Sequence, residues 1–243
     1  MTSAGETTYD VVVVGARVAG ASTAMLLARA GAHVALVDRA VYGSDTVSTH
    51  GLMRAGVLQL HRWGLLDRIV TAGTPPVRRT TFHYDGTRGE TNVQISIRPS
   101  GGIDALYAPR RHVIDRVLVD AAAEAGVDVL HETRVDDVVF ADDGRVCGVA
   151  VHTPDGRRVL RSRYVVGADG IGSLVARAVR AETVLEGRGA SAVRYAYYSG
   201  LEPTGYEWAY ADGAAAGIIP TNDDVSCVFV STTPLRMRTL RTN

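Results

Sequence analysis

The chain has 243 residues, 46% of them hydrophobic and 21% charged, with 26 acidic residues balancing 26 basic ones. That composition belongs to a globular protein able to bury a sizeable core, and zero net charge without a basic run argues against a nucleic-acid partner. Every basic residue is an arginine, so Schiff-base chemistry on lysine is excluded, and no apolar run approaches the roughly 18 residues of a membrane span.

The first ten residues, MTSAGETTYD, are polar and lack the basic-then-apolar order of a signal peptide. Cys147 and Cys227 stand far apart with no C-x-x-C spacing, which suggests neither a disulfide framework nor a zinc site. These features predict a cytoplasmic protein without a metal centre, and they leave its oligomeric state open.

Tyr9 to Val14 is apolar around Asp10 and without alternation, as a parallel strand buried on both faces would be. Gly15-Ala16-Arg17-Val18-Ala19-Gly20 follows as a tight turn, Ala21 to Ala30 is rich in helix formers, and Gly31 closes that helix. His33 to Val37 is a second strand, ending on Asp38. A β-α-β unit of about 30 residues with an acid about 20 residues after the first glycine is the dinucleotide-binding fingerprint. The helix start, with its unpaired N–H groups and positive dipole end, would cradle a pyrophosphate, and the acid would accept hydrogen bonds from the adenosine ribose. Arg17 stands where the pattern G-x-G-x-x-G has its second glycine. Its side chain would either obstruct the pyrophosphate or turn to pair with it.

Arg39 to Thr49 reads as a loop. From Gly51 the pattern is helical through Leu52, Val57, Leu58 and Leu60, is interrupted at Trp63-Gly64 and resumes over Leu65 to Val70. Gly73-Thr74-Pro75-Pro76 marks a boundary. Thr80 to Tyr84 and Glu90 to Arg98 are predicted strands. Arg110 to Ala125 is predicted helical from its i, i+4 apolar stripe, and Val127 to Leu130 is a short strand of the first sheet. Val135–Phe140, Val146–Val151 and Arg157–Leu160 form an expected meander. Tyr164 to Val166 then leads into Gly167-Ala168-Asp169-Gly170 and a helix over Ser173 to Val179. Strands over 190–199, 206–210, 214–219 and 225–231 suggest an antiparallel sheet. Tyr195, Tyr197 and Tyr198 share one of those strands and must point to alternate faces.

Four stretches in this order resemble the FAD-dependent oxidoreductases of the class A flavoprotein monooxygenase (aromatic hydroxylase) and geranylgeranyl reductase type. They are GARVAG with Asp38-Arg39; SDTVSTHGLMRAGVLQLHRWGLLDRI; YAPRRHVIDRVLVDAA; and VVGADGIGSLVAR. The resemblance runs from Tyr9 to Leu240. It implies an α/β fold, in which a three-layer Rossmann-like FAD/NAD(P)-binding domain of residues 1–73 and 106–182 is interleaved with an antiparallel β-sheet substrate domain of residues 74–105 and 183–243. It implies FAD as cofactor, held by Gly15, Ala16, Arg17, Val18, Ala19, Gly20, Asp38, Arg39, Arg54, Val57, Arg111, Asp169 and Gly170, with NAD(P)H as electron donor. Asp169 could also cap the helix that follows it. His50 could approach the flavin, although a lone histidine is more often structural.

The activity implied is NAD(P)H-driven hydroxylation of an aromatic or other hydrophobic small molecule. The flavin would carry the chemistry, so no side chain is singled out as catalytic. The alternative enzyme is a flavin-dependent reductase of carbon–carbon double bonds. The family's further Gly-Asp motif, beyond the second sheet, has no counterpart here. The expectation is therefore a chain lacking the C-terminal part of its relatives, with weak FAD binding, and at the extreme a silent nucleotide-binding remnant.

Overall fold

A computed structural model describes residues 8–47, 51–86, 89–187 and 189–241; His50, with Ser48 and Thr49, lies outside them. In chain order the elements are β1 (Thr8–Val14), α1 (Val18–Arg29), β2 (Val34–Val37), α2 (Arg54–Arg62), α3 (Leu66–Thr71), β3 (Arg79–Gly86), β4 (Gly89–Ser96), α4 (Arg111–Glu124), β5 (Asp128–Leu130), β6 (Arg134–Phe140), β7 (Val146–Thr153), β8 (Gly156–Gly167), α5 (Leu174–Ala178), β9 (Ala192–Ser199), β10 (Tyr206–Ala211), β11 (Ala214–Pro220), β12 (Val225–Thr232) and α6 (Pro234–Arg241). They form two compact units, residues 1–46 with 112–184 and residues 47–111 with 185–243.

The first unit is built on a six-stranded sheet of order β5-β2-β1-β8-β7-β6. β5, β2, β1 and β8 are parallel, and β7 and β6 complete the sheet antiparallel. Val11, Val12, Val13 and Val14 are all buried. Successive strand residues face opposite sides, so this run requires cover on both faces of the sheet, which makes a three-layer arrangement. Val12 and Val14 pack with Val138, Val149, Val151 and Leu160 of the meander and Val175 of α5. Asp10, the one acid in β1, accepts a hydrogen bond from the His33 amide at 2.9 Å and helps fix the register of β2.

β8 departs from the sequence reading. Arg157–Leu160 and Tyr164–Val166 are one twelve-residue strand. Its first half pairs antiparallel with β7 and its second half parallel with β1, and Arg161 belongs to both ladders. The polar Arg161-Ser162-Arg163 looked like an interruption because the strand changes partners there.

The second unit carries a six-stranded sheet of order β4-β3-β10-β11-β12-β9. It is not wholly antiparallel: β3 and β10 run parallel, Tyr206 opposite Thr80 and Tyr210 opposite Tyr84. Parallel neighbours need a long crossover, and here the chain between β3 and β10 includes much of the first unit. The core of this unit gathers Val77, Leu106, Ala108, Tyr206, Ile219 and Cys227, with Tyr195, Tyr197, Trp208 and Phe229 against it. Tyr198, on the other face of β9, is 53% exposed. Residues 51–73, expected with the nucleotide-binding half, pack in this unit. The Leu52 amide donates to the Tyr107 carbonyl at 2.8 Å, and Val57 is buried against Ile103, Ala105 and Tyr107.

Candidate cofactor site

The first sheet reverses its order at β1, which has β2 on one side and β8 on the other. The crevice beyond the carboxyl ends of such strands is where open α/β sheets bind ligands. β1 and β8 are parallel, so Gly15 after β1 and Ala168-Asp169 after β8 emerge at the same edge. The Ala168 amide donates to the Val14 carbonyl and the Gly15 amide to the Val37 carbonyl, each at 2.8 Å. Gly15 has φ +102°, and a Cβ on it would strike the Ala168 carbonyl; one on Gly20 would strike the Gly15 carbonyl. Both glycines are therefore required by local geometry, and the turn they make leads directly into α1. No side chain caps that helix and no acid lies in its first turn. Its leading N–H groups, with the dipole's positive end, are available to an anion.

Asp38 is tied to the same turn. It accepts from the Ala16 amide at 2.7 Å and from the Ala40 amide at 2.8 Å. A carboxylate has further acceptor capacity beyond two such bonds. Arg39 beside it is exposed.

Arg17 takes neither orientation expected of it. Its guanidinium donates to Asp115 Oδ2 at 2.9 Å, to the Ser44 carbonyl at 2.7 Å and to Ser44 Oγ at 2.9 Å. Ser44 lies in the loop after β2 and Asp115 on α4. The same helix receives that loop elsewhere, since the Tyr42 hydroxyl donates to Asp120 at 2.7 Å and the Arg116 guanidinium lies over the Tyr42 ring. Ser44 and Asp115 escaped the sequence reading. Asp115 is only three residues from His112 in a helix, but nothing local marks it as the partner of a residue near the N-terminus.

Asp169 is firmly engaged by α5. Ser173 Oγ donates to it at 2.6 Å, and the Leu174 and Val175 amides at 2.6 and 3.2 Å. Ser173 Oγ in turn accepts from the Ala176 amide. Burial works to raise the Asp169 pKa, but the Ser173 hydroxyl and the backbone N–H donors outweigh it and hold the carboxyl below its ordinary value. The capping role is thus present. Gly170 follows with φ +81°.

The remaining candidates belong to the second unit. Arg54 opens α2 and donates to the carbonyls of Arg98 at 2.6 Å, Ile103 at 3.2 Å and Ser100 at 3.4 Å, anchoring that loop. Val57 is fully buried, and its amide donates to the Met53 carbonyl at 3.2 Å. Arg111 is the first residue of α4. This unit also holds a cavity of about 590 Å³ lined by His83, Ala209, Ala216, Val230, Met237 and Leu240 among others. His83 there bridges Asn92 at 2.8 Å and Glu207 at 2.7 Å.

A family model described as FAD binding domain matches residues 8–238. The chain belongs to this family. Within it, digeranylgeranylglycerophospholipid reductase 2 of Methanopyrus kandleri is 34% identical over 178 residues, which are 70% of this chain and 39% of that protein. The solved structure of Pseudomonas aeruginosa PqsL in complex with 2-aminobenzoylacetate superposes with a TM-score of 0.80 at 25% identity, covering 96% of this chain and 63% of that one. A ternary complex of aklavinone-11 hydroxylase with FAD and aklavinone gives 0.75 at 25% identity, covering 96% and 47%. The chain spans between about two fifths and just under two thirds of the length of these relatives.

The turn of this FAD-binding domain fits the cofactor. Two glycines that admit no Cβ and an uncapped helix start leave backbone N–H groups for a phosphate, and Asp38 is bonded to the same turn. No helix among the described residues is long and apolar enough to cross a membrane.

Proposed function

We propose that this FAD-binding domain serves an NAD(P)H-driven monooxygenase that hydroxylates an aromatic or other hydrophobic small molecule in the cytoplasm. The carrying observation is the meeting of Gly15, Gly20, Ala168 and Asp38 at the switch point of the first sheet, in a chain alike over 96% of its length to PqsL and aklavinone-11 hydroxylase. Gly15 to Gly20 would hold the pyrophosphate through backbone N–H groups, Asp38 and Arg39 the adenosine, and Ala168 to Gly170 would fix the turn from behind. Arg54, Val57 and Arg111 are proposed as further FAD contacts because of the motifs that carry them. FAD supplies the redox chemistry when bound, and the protein orients it and excludes water. Two free thiols, Cys147 and Cys227, suit a reducing compartment.

A second reading, reduction of carbon–carbon double bonds, is favoured by the 34% identity to the Methanopyrus kandleri reductase. Oxygen uptake separates the two. The chain, reconstituted with FAD and given NADH or NADPH with 2-aminobenzoylacetate or a polycyclic aromatic as probe, should consume oxygen in step with substrate. Anaerobic consumption of an olefinic probe without oxygen uptake would favour the reductase. A chain that keeps no FAD through desalting would count against both.

A further inference from the structure

The fingerprint turn carries an arginine where close approach of a phosphate normally calls for glycine, and the backbone explains only half of why that is tolerated. Arg17 has φ −92° and ψ −172°. This is extended backbone open to any residue, so glycine is not needed for conformation. The remaining problem is the side chain itself, a long cation rooted at the N-cap of α1 beside the amides that would bind phosphate. In this chain it is drawn off to a partner 98 residues away. The Asp115 carboxylate, 4% exposed, meets the guanidinium at 2.9 Å, while the arginine side chain is 29% exposed. Ser44 adds two neutral acceptors, its carbonyl and its hydroxyl. Neutral acceptors give weaker bonds than an ionised one and set no charge against the guanidinium. Asp115 is thus the anionic member of the clamp.

We propose that Asp115 is the positioning residue that makes an arginine compatible with this pyrophosphate turn. It holds the Arg17 guanidinium on α4 and the loop after β2, clear of the leading amides of α1. FAD affinity then depends on Asp115 only while position 17 carries that side chain. The inference rests on the FAD reading and adds to it a residue that the fingerprint does not contain. Without Asp115, Arg17 keeps its bulk but loses its charged anchor. It then samples the space in front of the helix start, and the loop it held loses a fixed point next to Asp38.

The test is a double-mutant cycle on the 243-residue chain, with FAD affinity read by fluorescence titration. Asp115→Asn, nearly isosteric, should weaken FAD roughly tenfold or more in the presence of Arg17, the size of a lost charge-assisted hydrogen bond. In the Arg17→Gly background the same substitution should change affinity less than about twofold. A purely structural aspartate would cost the same in both backgrounds, and that result overturns the proposal. Tighter binding by Asp115→Asn would also overturn it, because the freed arginine would then be a phosphate partner. A second readout needs no flavin: amide hydrogen exchange at Ala16, bonded to Asp38, and at Ala21, bonded to the Arg17 carbonyl, should quicken in Asp115→Asn and return towards its parental rate when Arg17→Gly is added. If the parent chain binds no FAD, the FAD reading fails, and the exchange cycle alone decides the positioning role. Equal exchange in both backgrounds would overturn it.

Discussion

The carbonyl oxygen of Ala168 occupies the place where a side chain on Gly15 would begin. The first and last motifs of the nucleotide-binding half are thereby locked to each other at one edge of the sheet. Gly31 gives the control, because its φ of +91° resembles the +102° of Gly15 but nothing lies within 4 Å of its would-be Cβ. Gly31→Ala should therefore cost only the left-handed strain, about 1–2 kcal/mol. Gly15→Ala should cost more than that and should also remove FAD binding. Thermal unfolding of the two variants checks the order, and equal shifts would mean that the turn can move away from Ala168.

Asp38 offers a test of where the adenosine lies. It already fixes the turn through the Ala16 and Ala40 amides, so Asp38→Ala should lower stability as well as affinity. Loss of hydrogen bonds to a charged acceptor costs about 1.5–3 kcal/mol. FAD affinity should therefore fall roughly tenfold to more than a hundredfold. FMN, which lacks the adenosine, should lose much less. Titrations of both flavins on the same variant check this, and equal losses would count against ribose contact at Asp38.

The β1-α1-β2 unit was legible because its signals are local. An unalternating valine run, paired glycines and a terminal acid all fall within one short stretch, and Asp169 could be read as a helix cap in the same way. What the sequence hid depends on pairing between distant segments. β8 was divided at Arg161-Ser162-Arg163 because no local pattern reveals a strand that exchanges one partner for another. β3 and β10 were assumed antiparallel because their parallel pairing depends on the intervening chain. The site followed the same rule. Gly15, Gly20 and Asp38 stood out, whereas Arg17 was weighed only between phosphate and obstruction because Asp115 is remote in sequence. Arg54 was read from its motif as an FAD contact, and its bonds to the carbonyls of Arg98, Ser100 and Ile103 were not legible because those residues are 44 to 49 positions away.

Asp169 predicts a pH dependence whose sign follows from its hydrogen bonds. Its folded pKa lies below the ordinary 3.8, so the ionised form is favoured in the native state. The resulting stability is present above the unfolded value and is lost as pH falls through the folded one. Asp169→Asn should thus be less stable than the parent at neutral pH, with the difference shrinking as pH drops below 3.8. Ser173→Ala, which removes both the donor to Asp169 and the N-cap of α5, should cost about 1 kcal/mol. Urea midpoints between neutral and acid pH check the pair, and a constant gap down to the lowest pH would remove Asp169 from the acid transition.

Tyr206 yields a prediction of unusual sign. The residue is 0% exposed, and among the described residues its buried hydroxyl has no hydrogen-bond partner. Desolvation alone pushes its pKa up, as expected for a phenol with no compensating donor. The ring packs with Val77, Leu106, Ala108 and Ile219 and meets Trp208 edge-on at 5.9 Å, so the aromatic body belongs to the core while the oxygen contributes no bond. A buried polar group left unsatisfied costs about 1–3 kcal/mol. Tyr206→Phe keeps the ring and removes that group. Most core substitutions destabilise, but this one should leave the protein as stable or raise its stability by up to about 1 kcal/mol. Tyr206→Leu, which loses the ring as well, should destabilise by about 1–3 kcal/mol. Chemical denaturation of the two variants checks the contrast. A clear loss of stability in Tyr206→Phe would mean that the hydroxyl has a partner, such as an ordered water, and that its position in the core is held by a bond.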